Sequence, residues 1–297
     1  MKVLFLFVDG LGIGAKDPAV NPCCREGSGI FRVFSDDSGS HLPFDGVFTG
    51  LDASLGVEGL PQSATGQTAL LTGVNAVQRI GKHLSGFPNR PLREILLEKS
   101  VLKKVREMGL RPAFLNAYRP LFFSLPEETV LRLSATTVAN YAARLPFFTL
   151  DDIRARRAIY QDFTNNVLIQ RGFDVPVFSA KEAAEIVCAA MEEYDFVLYE
   201  YFRTDRVGHK QDMEASVKVL TQLGEFVIHI LGGLDLQRIV VLLTSDHGNI
   251  EDLSVRGHTR NPAMALIWGR GNLEVAGALK DLTDVTPVLL KVLEKWK

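Results

Sequence analysis

The stretch RIVVLLTSDHGN, residues 238–249, decides the fold. Every residue from Ile239 to Leu243 is apolar, with no polar alternation. Such a run suits a strand buried on both faces, as in a parallel sheet flanked by helices. It ends at Ser245-Asp246-His247-Gly248-Asn249, where two adjacent side chains able to bind a metal meet a glycine that lets the backbone turn. Alone, Asp-His-Gly is an ordinary turn sequence, so the argument depends on what accompanies it.

Similar apolar runs lie at 2–8 (KVLFLFV), 112–117 (PAFLNA), 195–201 (DFVLYEY) and 263–268 (AMALIW). Helical segments are expected between them, at 67–73, 97–109, 179–193, 212–231 and 284–295. Leu97, Val101, Leu102 and Val105 recur at helical spacing, and Gly109 offers a C-terminal stop. Ser179 and Glu182 form a capping-box pattern. The alternation predicts an α/β fold, a mostly parallel sheet with helices on both faces. Residues 118–178 break it, with Pro120, Pro126, Pro146 and Pro176, the aromatic pair Phe147-Phe148 and the basic residues Arg154, Arg156 and Arg157. They read as a small helical cap insertion, leaving 1–117 and 179–297 as the core.

The chain has 297 residues, 46% hydrophobic and 23% charged, which is material for a sizeable core. A net charge of -2 without a long basic run argues against nucleic acid as the main partner. The apolar run after Lys2 is short, lacks a small-residue cleavage site and runs straight into Asp9-Gly10, so a buried first strand is expected, not a signal peptide. No stretch is long enough to span a membrane. Cys23, Cys24 and Cys188 are too few and too badly spaced for a disulfide framework, which fits the cytoplasm.

Each strand end carries candidate ligands. Asp9 follows the first strand, Asp205 with His209 follows 195–201, and Asp246-His247 follows 238–244; His258 precedes the last strand. Ligands gather beyond the carboxyl ends of strands in such sheets. Anionic oxygens mixed with imidazoles suit a pair of divalent ions, either zinc or manganese. Ser63, at a turn opening a helix, makes sense beside them as a metal-activated nucleophile, with Thr65 as its rival. The bland alternative for Ser63 is a helix cap. Gly10-x-Gly12-x-x-Ala15 nearly fits a dinucleotide fingerprint, but Pro18 suits a continuing helix poorly, and Asp36 and Asp37 do not clearly close a second strand. His83, Arg154 and Arg157 are candidate substrate contacts, against a solvated loop and a solvated helix face. His41 and His229 are left without a role, His229 reading as a structural helix residue.

Thr244-Ser245-Asp246-His247-Gly248-Asn249 with His258-Thr259-Arg260-Asn261-Pro262 resembles cofactor-independent phosphoglycerate mutase. Asp9-Gly10-Leu11-Gly12-Ile13-Gly14-Ala15 resembles the opening of phosphopentomutase, and Asp284-Val285-Thr286-Pro287 is similar to a terminal helix start of the same group. Both mutases belong to the alkaline phosphatase superfamily. The resemblance implies its three-layer core and a division of ligands. One ion would take Asp205, His209 and His258; the other would take Asp9, Ser63, Asp246 and His247. Gly66 three residues after Ser63 favours Ser63 over Thr65, while Gln67 replaces the family's usual His and is a candidate substrate contact. The implied function is metal-dependent phosphoryl transfer on a small phosphoester. The small cap favours a phosphohydrolase acting through phosphoserine, with a phosphomutase as the alternative. From other classes come a nucleotide-binding module and a non-catalytic metal-stabilised scaffold.

Overall fold

Lys2–Val8 forms the central strand, β1, because its alternate side chains can be buried on opposite faces of one sheet. The computed structural model describes residues 1–36 and 42–295; Asp37 and His41 lie outside them. After β1 come β2 (Val47–Leu51), α1 (Ser63–Thr72), α2 (Ala76–Ile80), α3 (Arg90–Lys99), α4 (Val101–Glu107) and β3 (Pro112–Phe114). Four short helices follow, α5 (Glu127–Val130), α6 (Ala135–Ala142), α7 (Leu150–Arg154) and α8 (Asn166–Ile169). The remainder is α9 (Ala180–Glu193), β4 (Phe196–Tyr201), α10 (Arg203–Gly208), α11 (Met213–Gly233), β5 (Ile239–Thr244), β6 (Ala263–Trp268), α12 (Asn272–Ala278) and α13 (Val285–Lys295).

The strand order is β2-β6-β5-β1-β4-β3. Strand β1 pairs in parallel with β4 and β5, and β3 pairs in parallel with β4. Val3, Phe5 and Phe7 join Leu198 and Leu242 in a layer that includes buried side chains of α1, α3, α4, α6 and α13. Leu4, Leu6 and Val8 join Tyr199, Tyr201 and Leu243 in the opposite layer, beneath α9 and α11. This is the expected α/β architecture with both faces covered. None of the described helices is long and apolar enough to cross a membrane.

The structure differs from the sequence reading in four places. Strand β6 runs antiparallel to β5, and β2 antiparallel to β6. Residues 245–262 contain no helix to make a parallel crossover, so the chain returns in the opposite sense. Strand β2 was not expected at all: it is a mostly half-buried edge strand containing Gly50. The expected helix at 97–109 is instead α3 and α4, broken at Ser100, which ends one helix and caps the next. Its hydroxyl accepts from the Lys103 amide and donates to the Ala139 carbonyl. Helix α1 begins at Ser63, four residues before the expected start, and is buried from Ala64 through Thr72, so it shows no amphipathic face.

Residues 118–178 are built into both layers. Ala135, Val138 and Ala139 belong to the layer of α1, whereas Ile159, Phe163, Leu168 and Phe178 belong to the layer of α9 and α11. His229 is exposed on α11.

Leu242, fully buried at the middle of the sheet, tests this packing. Leu242→Ala is expected to lower stability by about 2–5 kcal/mol in urea unfolding, with an unchanged denaturant slope.

Candidate two-metal site

Asp9, Asp205 and Asp246 lie beyond the carboxyl ends of β1, β4 and β5. Two ligand groups form there. In each, the donor atoms lie within 4.8 Å of one another: Asp9, Asp246 and His247 in one, Asp205, His209 and His258 in the other. Nε2 of His247 is 3.3 Å from Asp9 Oδ1 and 3.5 Å from Asp246 Oδ2. Nε2 of His209 and of His258 approach the two oxygens of Asp205 at 3.4 and 3.5 Å. The groups meet where the rings of His247 and His258 stack, 3.7 Å between centroids and 14° between planes. Ser63 Oγ, at the first position of α1, is 3.0 Å from His247 Nε2.

The outer ring nitrogens fix these orientations. His209 Nδ1 faces the Arg256 carbonyl at 2.9 Å, and His258 Nδ1 faces the Pro61 carbonyl at 2.7 Å. A carbonyl only accepts, so each Nδ1 must carry the proton. In the neutral ring this leaves the Nε2 lone pair pointing inward. Asp9 Oδ1 and Asp246 Oδ2 are buried without a hydrogen-bond donor. Buried acceptors of this kind are costly unless a cation meets them. The donor set therefore fits a pair of divalent ions.

A protein-family description, Metalloenzyme superfamily, matches residues 165–294. The 2,3-bisphosphoglycerate-independent phosphoglycerate mutase of Desulforudis audaxviator is 32% identical over 127 residues, covering 40% of this chain and 24% of that one. Its counterpart from Pseudomonas putida is 33% identical over 128 residues, covering 40% and 25%. The chain thus spans about a quarter of the length of these curated relatives. Alkaline phosphatase from the Antarctic bacterium TAB5 has a similar fold, with a TM-score of 0.57 at 13% identity over 100% of this chain and 98% of that one. The PH0037 protein from Pyrococcus horikoshii gives a TM-score of 0.58 at 13% identity over the same shares. Residues 165–294 thus match the Metalloenzyme superfamily, and the fold of the chain is similar to that of an alkaline phosphatase.

The loops that carry the candidate ligands are tied together by Glu251, which the sequence reading missed. One carboxylate oxygen accepts from the backbone amides of Gly12 and Asn249, each at 2.8 Å. The other accepts from Thr259 Oγ1 at 2.5 Å and Asn261 Nδ2 at 3.0 Å. One buried side chain thus joins the loops bearing Asp9, Asp246-His247 and His258. The approach is so close that a Cβ on Gly12 would lie 2.5 Å from the Glu251 carboxylate. The Gly10-x-Gly12 pattern therefore accommodates a carboxylate and not a dinucleotide. No helix follows Ala15 either; the next turn of helix is Pro22–Cys24. The residues after β1 therefore do not form the dinucleotide fingerprint.

Burial and mutual repulsion shape the electrostatics. Burial, then the Asp246 charge, push Asp9 well above the usual carboxylate range, and burial also raises Asp246. Burial opposes the charged ring of His247, but Asp246 and Asp9 together outweigh it and push His247 up to about 10. Burial, then His247, push its stacking partner His258 down to about 4. Without a cation the cluster therefore retains protons, and cation binding must displace them.

The remaining candidates separate. Gln67 is buried in the cluster, its Nε2 3.4 Å from Asp9 Oδ2. Thr65 is fully buried; its hydroxyl donates to the Gln62 carbonyl and accepts from the Leu84 amide. Ser63 is only half-buried. A Cβ on Gly66 would lie 2.8 Å from the Asp246 carbonyl, so that glycine lets α1 press against the Asp246-His247 loop. His83 is half-buried, with Nε2 on the Val57 carbonyl at 3.1 Å, near the turn leading to α1.

Arg154 and Arg157 do not support the expected substrate role. Arg154 is held by Asp151 and the Asp174 carbonyl, and Arg157 by Asp152. Both are exposed, and α7 packs in the layer opposite α1. Arg156 is likewise engaged by Glu182 and Glu185.

Glu200 was also missed. It is buried near the end of β4, accepts from Thr136 Oγ1 at 2.6 Å, and is pushed up to about 7 chiefly by burial. An acid inside the apolar run DFVLYEY was its signal in the sequence.

Two measurements test the site. Glu251→Gln leaves one oxygen for four donors, so the loops lose their common anchor. Metal titration should then show a roughly 10–100-fold loss of affinity. The second concerns Glu200. Unfolded, it ionises near 4.5; folded, it keeps its proton to about 7. The metal-free protein therefore loses stability as pH rises through that window. Glu200→Gln should stabilise chelator-treated protein at pH 8 by on the order of 3 kcal/mol, and far less at pH 5.

Proposed function

We propose that this chain is a two-metal phosphohydrolase that cleaves a small phosphomonoester through a phosphoserine on Ser63. The observation that carries the reading is Ser63 Oγ at the start of α1, 3.0 Å from Nε2 of His247, a member of the Asp9–Asp246–His247 group. Asp9, Ser63, Asp246 and His247 would hold one ion, and Asp205, His209 and His258 the other. When bound, the ions supply positive charge to the phosphoryl oxygens and lower the pKa of the serine hydroxyl.

The chain's own residues do the rest. Ser63 presents its oxygen in line with the ester bond. Ser63 Oγ gives its proton to water as its new bond to phosphorus forms and the bond to the leaving oxygen breaks, and that oxygen takes up a proton from water. Gln67 orients Asp9. A water then attacks the phosphoserine, releases inorganic phosphate and restores the serine. Hydrolysis is favoured because the outer group is open: the side chain of His209 is 42% exposed, a route for water to the phosphoserine.

The second reading is phosphomutase, favoured by the 32% identity to a phosphoglycerate mutase. A mutase needs the phosphoserine shielded from water until the dephosphorylated intermediate has turned. The products separate the two readings: free phosphate for the hydrolase, an isomerised ester for the mutase.

Ser63→Ala is expected to abolish phosphate release, a loss of at least about 1000-fold, while two metal ions per chain still bind. Thr65→Ala should retain activity. The reverse pattern, with Ser63→Ala active and Thr65→Ala dead, would assign the nucleophile to Thr65.

A further inference from the structure

A cavity of about 270 Å³ opens at the carboxyl ends of β3 and β4, on the same sheet edge as the ligand groups. Glu200 and Phe202 line it from β4 and the residue after it, and Phe202 is three residues before Asp205. Neighbouring strands lie about 4.8 Å apart, so the cavity sits roughly 5–10 Å from Asp9 along the edge. That is the distance from a phosphorus atom to the far side of a ring attached through its ester oxygen. At this size the cavity admits a small molecule; drug-sized ligands occupy about 300–1,000 Å³.

The walls specify more. Tyr118, Phe122, Leu125 and Leu133 supply an apolar surface, and Tyr118 and Phe122 lie with ring centroids 4.1 Å apart. Arg119 adds a cation, whose charge acts on the neighbouring Tyr160 hydroxyl. An apolar surface with a cation among the polar residues of the lining suits a ring that carries an anionic acceptor. We propose that this cavity is the leaving-group pocket. It takes the organic part of a ring-bearing phosphomonoester whose far end offers a carboxylate or similar acceptor to Arg119. This rests on the phosphohydrolase reading and extends it to a substrate class. Residues 118–137 then act as a wall of the substrate pocket.

The test compares 4-carboxyphenyl phosphate with methyl phosphate and, for the second variant, with phenyl phosphate, using the metal-loaded enzyme and two variants. Leu133→Trp fills the pocket from a half-buried wall position. It should raise KM for the aryl ester at least tenfold and change kcat/KM for methyl phosphate less than twofold, with metal content unchanged. Arg119→Met should raise KM for 4-carboxyphenyl phosphate but not for phenyl phosphate, and it serves if the tryptophan variant does not fold. Equal effects on both members of either pair, or no effect on the aryl ester, overturn the proposal. Should the parent enzyme hydrolyse none of these esters, the phosphohydrolase reading fails instead. Titration with 4-hydroxybenzoate then decides the pocket alone: saturable binding weakened in both variants supports it, and no binding overturns it.

Discussion

The arrangement depends on one buried carboxylate. Glu251 accepts four hydrogen bonds, one from the loop after β1 and three from both ends of the β5–β6 connection in which it lies. Each loop ends or begins a central strand, and each carries a ligand of one group or the other. Backbone bonds add to the tie: the Ile250 amide donates to the Gly10 carbonyl, and the Thr259 amide to the Gly248 carbonyl. A carboxylate suits this place because it offers acceptor sites on both oxygens and needs no donor in return. The negative charges gathered at the sheet edge are thus fixed by a residue outside both ligand groups.

Much of this was legible in the sequence. The parallel strands were, because residues buried on both faces leave continuous apolar runs such as Val3–Val8 and Ile239–Leu243. The grouping of Asp9, Asp205 and Asp246 was, because each lies within four residues of the end of such a run. The failures have physical causes. Strand β2 lies at an edge and is mostly half-exposed, so it carries no apolar run. Ser100 breaks a helical pattern whose spacing continues across it. Glu251 owes its role to contacts that only the fold creates. Arg154 and Arg157 looked free, yet Asp151 and Asp152 lay close by in sequence to engage them.

The sheet edge links the chemistry to its setting. Strands β5 and β1 bring Asp246 and Asp9, β4 brings Glu200 and then Asp205, and β3 brings Asn116 to the cavity wall. Asn116 is fixed to β4 by a pair of bonds with the backbone of Glu200, at 2.8 and 2.9 Å. The candidate ligands and the cavity therefore share one sheet edge. Placing a site on strands holds its geometry more tightly than placing it on loops alone.

The stacking of His247 on His258 carries a thermodynamic consequence. Each ring belongs to a different ligand group, and their centroids are only 3.7 Å apart. A charge arriving at one ring is felt by the other, so loading of the two groups is cooperative in one sense or the other. Linkage requires the coupling to be equal in both directions: whatever the first ion does to the affinity of the second group, the second ion does to the first. Order of loading then follows access. The group containing the half-exposed side chain of His209 meets solvent, while the Asp9 and Asp246 group lies behind it, so exchange with bulk ions begins at the outer position.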